Sequence, residues 1–200
     1  LSKCKISEIP KCEIVIHLAA KTDAAQSSKY KKEFYTNNLP ATKKIISYCK
    51  KHNALLLFAS STSVYGPQSN WVDENCSKKD LKPQSPYADI KLKEEKLISK
   101  KLKNFLVLRL GTIYGFSEGI RFHTAVNKFC FNASIDANIN VYKTALNQYR
   151  PYLSLRDAFK VFKFCIEKNF FHNDIFNVLS GNFTVNQILK KIRKYKKDIN

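Results

Sequence analysis

Short apolar runs alternate with longer amphipathic stretches along this chain. The runs Glu13–Leu18 and Leu55–Ala59 are mostly apolar, which is typical of strands buried on both faces of a parallel sheet, and Phe105–Leu110 predicts a further strand. Apolar residues three and four positions apart predict amphipathic helices over Asp157–Lys168 and Thr184–Lys197. Strands interleaved with helices predict an α/β fold.

Small and hydroxylated residues follow two of the predicted strands. Ala19-Ala20-Lys21-Thr22 comes directly after the first strand, and Ser60-Ser61-Thr62-Ser63 ends the second. Ligands of open α/β sheets bind beyond the carboxyl ends of the strands. The sequence therefore predicts a binding site at this edge, with the polar stretch 67–86 as a long loop over it.

Tyr87 and Lys91 lie four residues apart, just after Ser85-Pro86. If Ser85 caps a helix that opens with Pro86, the two side chains are neighbours on one helix face. An ammonium beside a phenol favours the phenolate, so Lys91 would lower the pKa of Tyr87 and prepare it for general acid or base catalysis. A hydroxyl from Ser61 would complete the site. The alternative is a solvated helix face in a chain rich in both residues.

Composition limits the remaining possibilities. With 200 residues, 44% of them apolar, the chain can bury a substantial core. The six cysteines form no CxxC pair and no short pairing with histidine, so no metal site is predicted and reduced thiols in a cytoplasmic protein are favoured. No apolar run approaches the roughly 18 residues of a membrane span.

The formal charge of +19 raises the question of nucleic acid as a partner. The lysines, however, are distributed along predicted helices at Ala41–His52, Tyr87–Lys103 and Thr184–Lys197, whose other faces are apolar. This distribution favours solvated helix faces, and we predict no specific nucleic-acid partner. A basic field would still attract a nucleotide diphosphate.

An ordered set of motifs resembles a known family. The chain is most similar to the NAD-dependent nucleotide-sugar epimerase/dehydratase branch of the extended short-chain dehydrogenase/reductases. The motifs that carry the resemblance are His17-Leu18-Ala19-Ala20, Asn37-Asn38-Leu39, Ser60 to Gly66, Pro83 to Tyr87, Lys91, Leu108 to Gly115, Arg150-Pro151-Tyr152 and Phe176-Asn177-Val178.

The resemblance implies a Rossmann-like doubly wound parallel sheet and a smaller C-terminal substrate-binding portion. Residues 1–115 would form part of the NAD(P)-binding domain, and residues 116–200 mainly the substrate-binding portion, with segments returning to the first domain. None of the five glycines forms the glycine-rich turn with which the family's domain opens. We therefore expect the chain to begin part-way into that domain, truncated at its N-terminus, and to be incomplete for catalysis.

The resemblance also implies roles for individual residues. The catalytic residues would be Ser61, Tyr87 and Lys91. The cofactor would contact Tyr87 and Lys91 together with Leu18, Ala19, Ala20, Thr22, Asn38, Ser60 and Leu110. The substrate would contact Thr62, Thr112, Arg121, Asn127 and Arg150.

Three of these residues have structural alternatives. Ser61 is suited to capping a turn at the end of a strand. Asn38 is suited to capping a helix that starts with Leu39-Pro40. Arg150, whose guanidinium matches a diphosphate, could instead form a salt bridge with Asp157.

Departures from the family pattern reduce the number of reactions that the resemblance implies. Thr62 and Ser63 stand where the 4,6-dehydratases resemble Asp-Glu, so dehydration is disfavoured, and Gly111-Thr112 replaces the usual Phe-Asn. The leading hypothesis is NAD-dependent epimerisation of a nucleotide-diphosphate sugar through a transient keto-sugar, with NADP not excluded. The alternatives are an NAD(P)H-dependent keto-sugar reductase and a truncated, non-catalytic binding protein.

The resemblance further implies a homodimer through helices 41–52 and 87–103; no membrane partner is predicted.

Overall fold

The computed structural model describes residues 1–24, 26–68 and 70–196. Residue 69, in the predicted loop, and residue 197, the end of the last predicted helix, lie outside the described residues. The chain divides into two units, one formed by Leu1–Leu110 and Phe164–Asn177 and the other by Gly111–Lys163 and Val178–Asn200. No helix within the described residues has the length and apolar character that crossing a membrane requires.

Within the described residues, seven strands and five α-helices follow one another along the chain, mostly in alternation, as the apolar pattern predicts. The strands are β1 (Ile14–His17), β2 (Leu55–Ser61), β3 (Phe105–Leu110), β4 (Thr112–Tyr114), β5 (Arg150–Ser154), β6 (Asp174–Val178) and β7 (Gly181–Phe183). The helices are α1 (Lys31–His52), α2 (Pro86–Lys101), α3 (Ala125–Ser134), α4 (Leu155–Glu167) and α5 (Val185–Arg193).

The first unit is built on a sheet with the strand order β1-β2-β3-β6. β1 pairs with β2 and β2 pairs with β3, both in parallel, so their carboxyl ends share one edge. The register places Ser61 opposite Leu110 at that edge. Leu57 and Leu106, which face each other across β2 and β3, are fully buried, as strands covered on both faces require.

Helices α1 and α2 cover this sheet. Tyr48 of α1 and Ile98 of α2 are buried in one apolar cluster with Phe105 of β3. α1 begins ten residues before the predicted start at Ala41, and Pro40 lies inside it. α2 begins as predicted, because the Ser85 hydroxyl accepts a hydrogen bond from the Ala88 amide at 3.2 Å and Pro86 occupies the first turn.

The second unit contains a smaller mixed sheet. β4 and β5 pair in parallel, and β5 and β7 pair antiparallel. Phe129 of α3 packs with Val185 and Leu189 of α5 in a separate apolar cluster. Thr184 and Gln187 form a capping box at the start of α5, where they exchange side-chain to backbone hydrogen bonds.

Candidate functional site

The loop after β1 is held in place by a buried side chain of α1. The side chain of Asn38 donates to the Lys21 carbonyl oxygen at 2.9 Å and accepts from the Lys21 amide at 2.8 Å. One amide group thus satisfies both backbone groups of a residue in the segment Leu18–Thr22, whose members Ala19 and Ala20 are small. The alternative role of Asn38 as a helix cap is wrong, because α1 begins at Lys31 and Asn38 lies within it.

The hydroxyl groups at the end of β2 are hydrogen-bonded to one another and to β3. Ser61 accepts from the backbone amide of Ser63 at 3.2 Å and from its hydroxyl at 2.9 Å, so Ser61 caps the short turn Thr62–Tyr65. Thr62 donates to the carbonyl oxygen of Leu110 at 3.3 Å. Ser61, Thr62 and Leu110 therefore share the carboxyl edge of the sheet, as the sequence predicts.

Tyr87 and Lys91 face the same side of α2. The Lys91 ammonium nitrogen lies 6.0 Å from the centroid of the Tyr87 ring. The same nitrogen donates to the Ala59 carbonyl oxygen of β2 at 2.8 Å and lies 4.4 Å from the centroid of the Phe58 ring. Lys91 is only 3% exposed, so the alternative of a solvated helix face is wrong for this residue.

A pair of buried acids on α2 was not predicted from the sequence. Glu94 is buried beside Lys91, with its Oε2 atom 3.5 Å from the ammonium nitrogen. Burial raises the pKa of Glu94 and lowers that of Lys91, and the attraction between their charges opposes both changes. A sequence signal existed, because Glu94 and Glu95 fall three and four residues after Lys91, on the side of α2 that also carries Ile98.

Glu95 links the end of β2 to β3. Its carboxylate accepts three contacts from the Arg109 guanidinium, at 2.7, 3.1 and 3.2 Å, and a hydrogen bond from the Ser60 hydroxyl. Arg109 also donates to the Tyr65 hydroxyl at 2.8 Å, which in turn donates to the side chain of Asn177 at 2.9 Å. This network fixes the strand ends beneath Ser61.

His17 extends the buried polar group toward β1. Its Nε2 atom lies 2.9 Å from the Thr42 hydroxyl oxygen, and that hydroxyl donates to Glu94 at 2.6 Å. Because the proton of Thr42 is directed at Glu94, His17 donates to the Thr42 oxygen through Nε2. Burial, reinforced by the charge of Lys91, lowers the pKa of His17 to about 4.

We expect this buried histidine to make the protein acid-sensitive. The unfolded chain binds a proton at His17 near pH 6.5, whereas the folded protein does so only near pH 4. The stability that the neutral His17 contributes is therefore fully present above pH 6.5 and is lost as the pH falls toward 4. The whole effect is about 3 kcal/mol of unfolding free energy. Urea unfolding at a series of pH values, comparing the wild type with His17→Gln, measures it.

The variant His17→Gln can keep a hydrogen bond to Thr42 but does not titrate, so its stability should decline less between pH 7 and pH 4. His172→Gln, which alters an exposed histidine, is the matched control and should follow the wild type. Equal acid sensitivity in all three proteins would contradict the assignment of this effect to His17.

The second unit holds the four remaining residues of the predicted site. Asn127 is buried at the start of α3, where it accepts from the Gly115 amide at 3.0 Å and donates to the Arg121 carbonyl oxygen at 3.3 Å. Its amide therefore fixes the loop before the helix. Thr112 on β4 and the side chain of Arg121 are exposed.

Arg150 is exposed at the start of β5 and donates to the Gln148 side chain at 3.1 Å. Within the described residues it forms no salt bridge with Asp157, so that alternative is wrong. Asp157, which lies in the first turn of α4, instead accepts hydrogen bonds from the hydroxyls of Ser154 and Ser180.

In the part of the chain that the structure describes, no three His, Cys, Asp or Glu side chains are grouped so that they could bind a metal ion.

The sequence model of the NAD dependent epimerase/dehydratase family matches residues 4–178. The chain belongs to this family. The buried strand ends, the Ser61 turn and the Tyr87–Lys91 pair are thus features of an epimerase/dehydratase-family chain, and the resemblance inferred from the sequence motifs is confirmed.

Curated relatives differ in the reaction that they are named for. The chain is 33% identical over 109 residues to an uncharacterized UDP-glucose epimerase, YtcB, of Bacillus subtilis, a match that covers 52% of this chain and 34% of the relative. It is 27% identical over 190 residues to the dTDP-D-glucose 4,6-dehydratase of Dictyostelium discoideum, covering 86% and 42%. The match thus spans less than half of each relative's length.

Solved structures share the fold of this epimerase/dehydratase chain. UDP-glucuronic acid 4-epimerase from Bacillus cereus, in complex with UDP-glucuronic acid and NAD, superposes with a TM-score of 0.86 at 23% identity, covering 98% of this chain and 63% of that one. A dTDP-glucose 4,6-dehydratase from Bacillus anthracis in complex with NAD gives 0.75 at 21% identity, covering 94% and 59%. The α/β prediction with a parallel Rossmann-type sheet is confirmed.

Proposed function

We propose that the intact protein epimerises a nucleotide-diphosphate sugar through a transient keto-sugar, with NAD as its bound cofactor. The observation that carries the proposal is the buried Lys91 ammonium beside the Tyr87 ring, at the carboxyl end of β2. A cation in this place favours the phenolate form of Tyr87. Family membership and the NAD complexes of similar folds support the cofactor.

The loop after β1 and the Lys91 side chain are suited to contact part of such a cofactor. Asn38 fixes the backbone of Lys21, and the small side chains of Ala19 and Ala20 allow close approach to the loop after β1. The Lys91 ammonium donates one N–H to the Ala59 carbonyl oxygen and directs another toward the Glu94 carboxylate, which leaves a third for a ribose hydroxyl. NAD, when bound, would supply hydride transfer from and back to the reacting sugar carbon. Leu18, Thr22, Ser60 and Leu110 remain predicted contacts.

In the proposed reaction Tyr87 accepts the proton of a sugar hydroxyl and later returns it to the keto-sugar. Lys91 stabilises the phenolate that is present before the first transfer and formed again by the second, and Ser61 donates a hydrogen bond to the reacting oxygen. Thr62 and Ser63 carry only hydroxyl groups, so this turn provides no carboxylic acid for the elimination of water. Their chemistry favours epimerisation over dehydration.

Residues of the second unit would recognise the substrate. Arg150 presents an exposed guanidinium, a group that binds diphosphate oxygens well. Thr112 and Arg121 are exposed and available for sugar contacts, whereas Asn127 would act through the loop that its amide holds. A homodimer through α1 and α2 and a cytoplasmic location remain predictions.

Product analysis of the intact protein tests the proposed reaction. Incubation with NAD and a panel of UDP- and dTDP-sugars should convert a substrate into its epimer, detected by proton NMR, without net formation of NADH. In D₂O the epimerised carbon should acquire no deuterium, because its hydrogen leaves and returns as hydride. In a parallel incubation with NADPH and keto-sugars, stoichiometric consumption of NADPH would instead identify a keto-sugar reductase, and the absence of an epimer would contradict the proposal.

A further inference from the structure

Glu94 is the buried group whose chemistry the reaction above does not use. Its side chain is about 1% exposed, and among the described residues its Oε2 atom has no hydrogen-bond partner. That atom instead faces the ammonium nitrogen of Lys91 at 3.5 Å. A carboxylate oxygen in this environment is costly to bury unless the neighbouring positive charge compensates it.

The other charges around Lys91 are already compensated. Glu95 is bound by three contacts from Arg109, so this pair is close to neutral as a unit. His17 is neutral above pH 4, since burial lowers its pKa to about 4. Glu94 is therefore the remaining counter-charge for Lys91 among the groups that β1, β2, β3, α1 and α2 place around it.

The contacts of the two side chains suit their charged forms. The carboxylate of Glu94 accepts a hydrogen bond from Thr42 at 2.6 Å, and Thr42 is in turn held by His17. The Lys91 ammonium has the Ala59 carbonyl oxygen and the face of the Phe58 ring, both of which stabilise a cation. The hydrogen bonds from His17 to Thr42 and from Thr42 to Glu94 thus also fix the position of the Glu94 carboxylate.

We propose that Glu94 is a positioning residue that keeps Lys91 in its ammonium form and holds that charge beside Tyr87. The inference rests on the proposed function, because it assigns Glu94 to the proton transfer at Tyr87. Glu94 acts through Lys91 and contacts neither substrate nor cofactor. Without the carboxylate, a lysine in this buried place would release its proton at a lower pH and, as a neutral amine, would no longer favour the phenolate.

NMR titration of Lys91 tests the charge directly. The protein is labelled with ¹³C at lysine Cε, and the Lys91 signal is identified by its loss in Lys91→Arg. In the wild type this signal should remain that of an ammonium through neutral pH. In Glu94→Gln, which keeps the shape and the oxygen that accepts from Thr42, the midpoint should fall by one pKa unit or more, about a tenfold loss of proton affinity.

Asp89→Asn is the matched control, because it removes a carboxylate from the same helix whose lysine partner, Lys93, is exposed. This variant should leave the Lys91 midpoint unchanged. An equal midpoint in the wild type and Glu94→Gln would overturn the inference. If Glu94→Gln does not fold, the carboxyl ¹³C signal of Glu94 in the wild type decides, since a protonated Glu94 at pH 7 contradicts the proposal and an ionised one supports it.

The pH profile of the intact enzyme provides a second measurement. In Glu94→Gln the decline of kcat/KM at alkaline pH should move to lower pH, and Glu94→Asp should restore part of the profile. A uniform loss at every pH would indicate a merely structural role and overturn the inference. The NMR titration does not depend on turnover, so a wild type without epimerase activity would refute the proposed reaction while the charge of Lys91 is still measured.

Discussion

Replacing Tyr87 with Phe should lower the turnover of the intact enzyme by a factor of about 10² to 10⁴, the usual contribution of a general acid or base. The ring stays in place beside Lys91, but the oxygen that accepts and returns the proton is removed. Binding of NAD should change little, because the main effect is on the transition state of proton transfer. Steady-state kinetics and a fluorescence titration with NAD measure the two quantities separately.

Tyr35→Phe is the matched control for this substitution. It removes a phenolic oxygen from the neighbouring helix α1, where Tyr35 donates to Asp89 away from Lys91. We expect its turnover to equal that of the wild type. A Tyr87→Phe enzyme that retained near-normal turnover would refute the role of Tyr87, and a parallel loss in Tyr35→Phe would trace the effect to the packing of α1 against α2.

The sequence predicts those parts of the fold that depend on local signals. The apolar runs locate β1, β2 and β3. β2 and β3 are largely buried, as strands covered on both faces require, whereas Ile16 of β1 is 41% exposed. The start of α2 follows from Ser85-Pro86, whose capping and backbone preferences act within one turn. The neighbouring positions of Tyr87 and Lys91 then follow from helix geometry alone.

The start of α1 could not be predicted by the same reasoning. Pro40 normally argues against a helix interior, because it lacks an N–H group and its ring crowds the preceding turn. Tertiary contacts outweigh that cost here, since Phe34 and Asn38, which precede Pro40, are both buried and Asn38 binds the loop after β1. A boundary decided by distant partners leaves little local signal.

The buried acids were missed for a related reason. Glu and Lys are mostly solvent-exposed, so Glu94, Glu95 and Lys91 in a lysine-rich helix suggest a polar face. Their burial depends on partners far along the chain, namely Thr42 for Glu94 and Arg109 for Glu95. Only the fold brings these charges together, although their three- and four-residue spacing from Lys91 places them on one face.

Replacing Glu95 with Gln should reduce the free energy of unfolding by about 3 to 5 kcal/mol. The substitution preserves volume, but it leaves the Arg109 guanidinium, about 3% exposed, without its compensating charge between β3 and α2. It also weakens the hydrogen bond that Ser60 donates, and so loosens the end of β2 that carries Ser61. Denaturant unfolding followed by circular dichroism measures the loss.

Two further variants separate the cost of an unpaired charge from the loss of a favourable contact. Glu33→Gln breaks the ion pair with Lys21, in which both side chains are roughly half exposed, and should cost no more than about 1 kcal/mol. The double variant Glu95→Leu, Arg109→Leu removes both buried charges and should recover much of the stability lost in Glu95→Gln, since neither charge remains unpaired. A double variant less stable than Glu95→Gln would mean that the ion pair stabilises the fold by more than mutual neutralisation of its charges. The added stability would then come from the hydrogen bonds that link Arg109 to Tyr65 and Ser60 to Glu95.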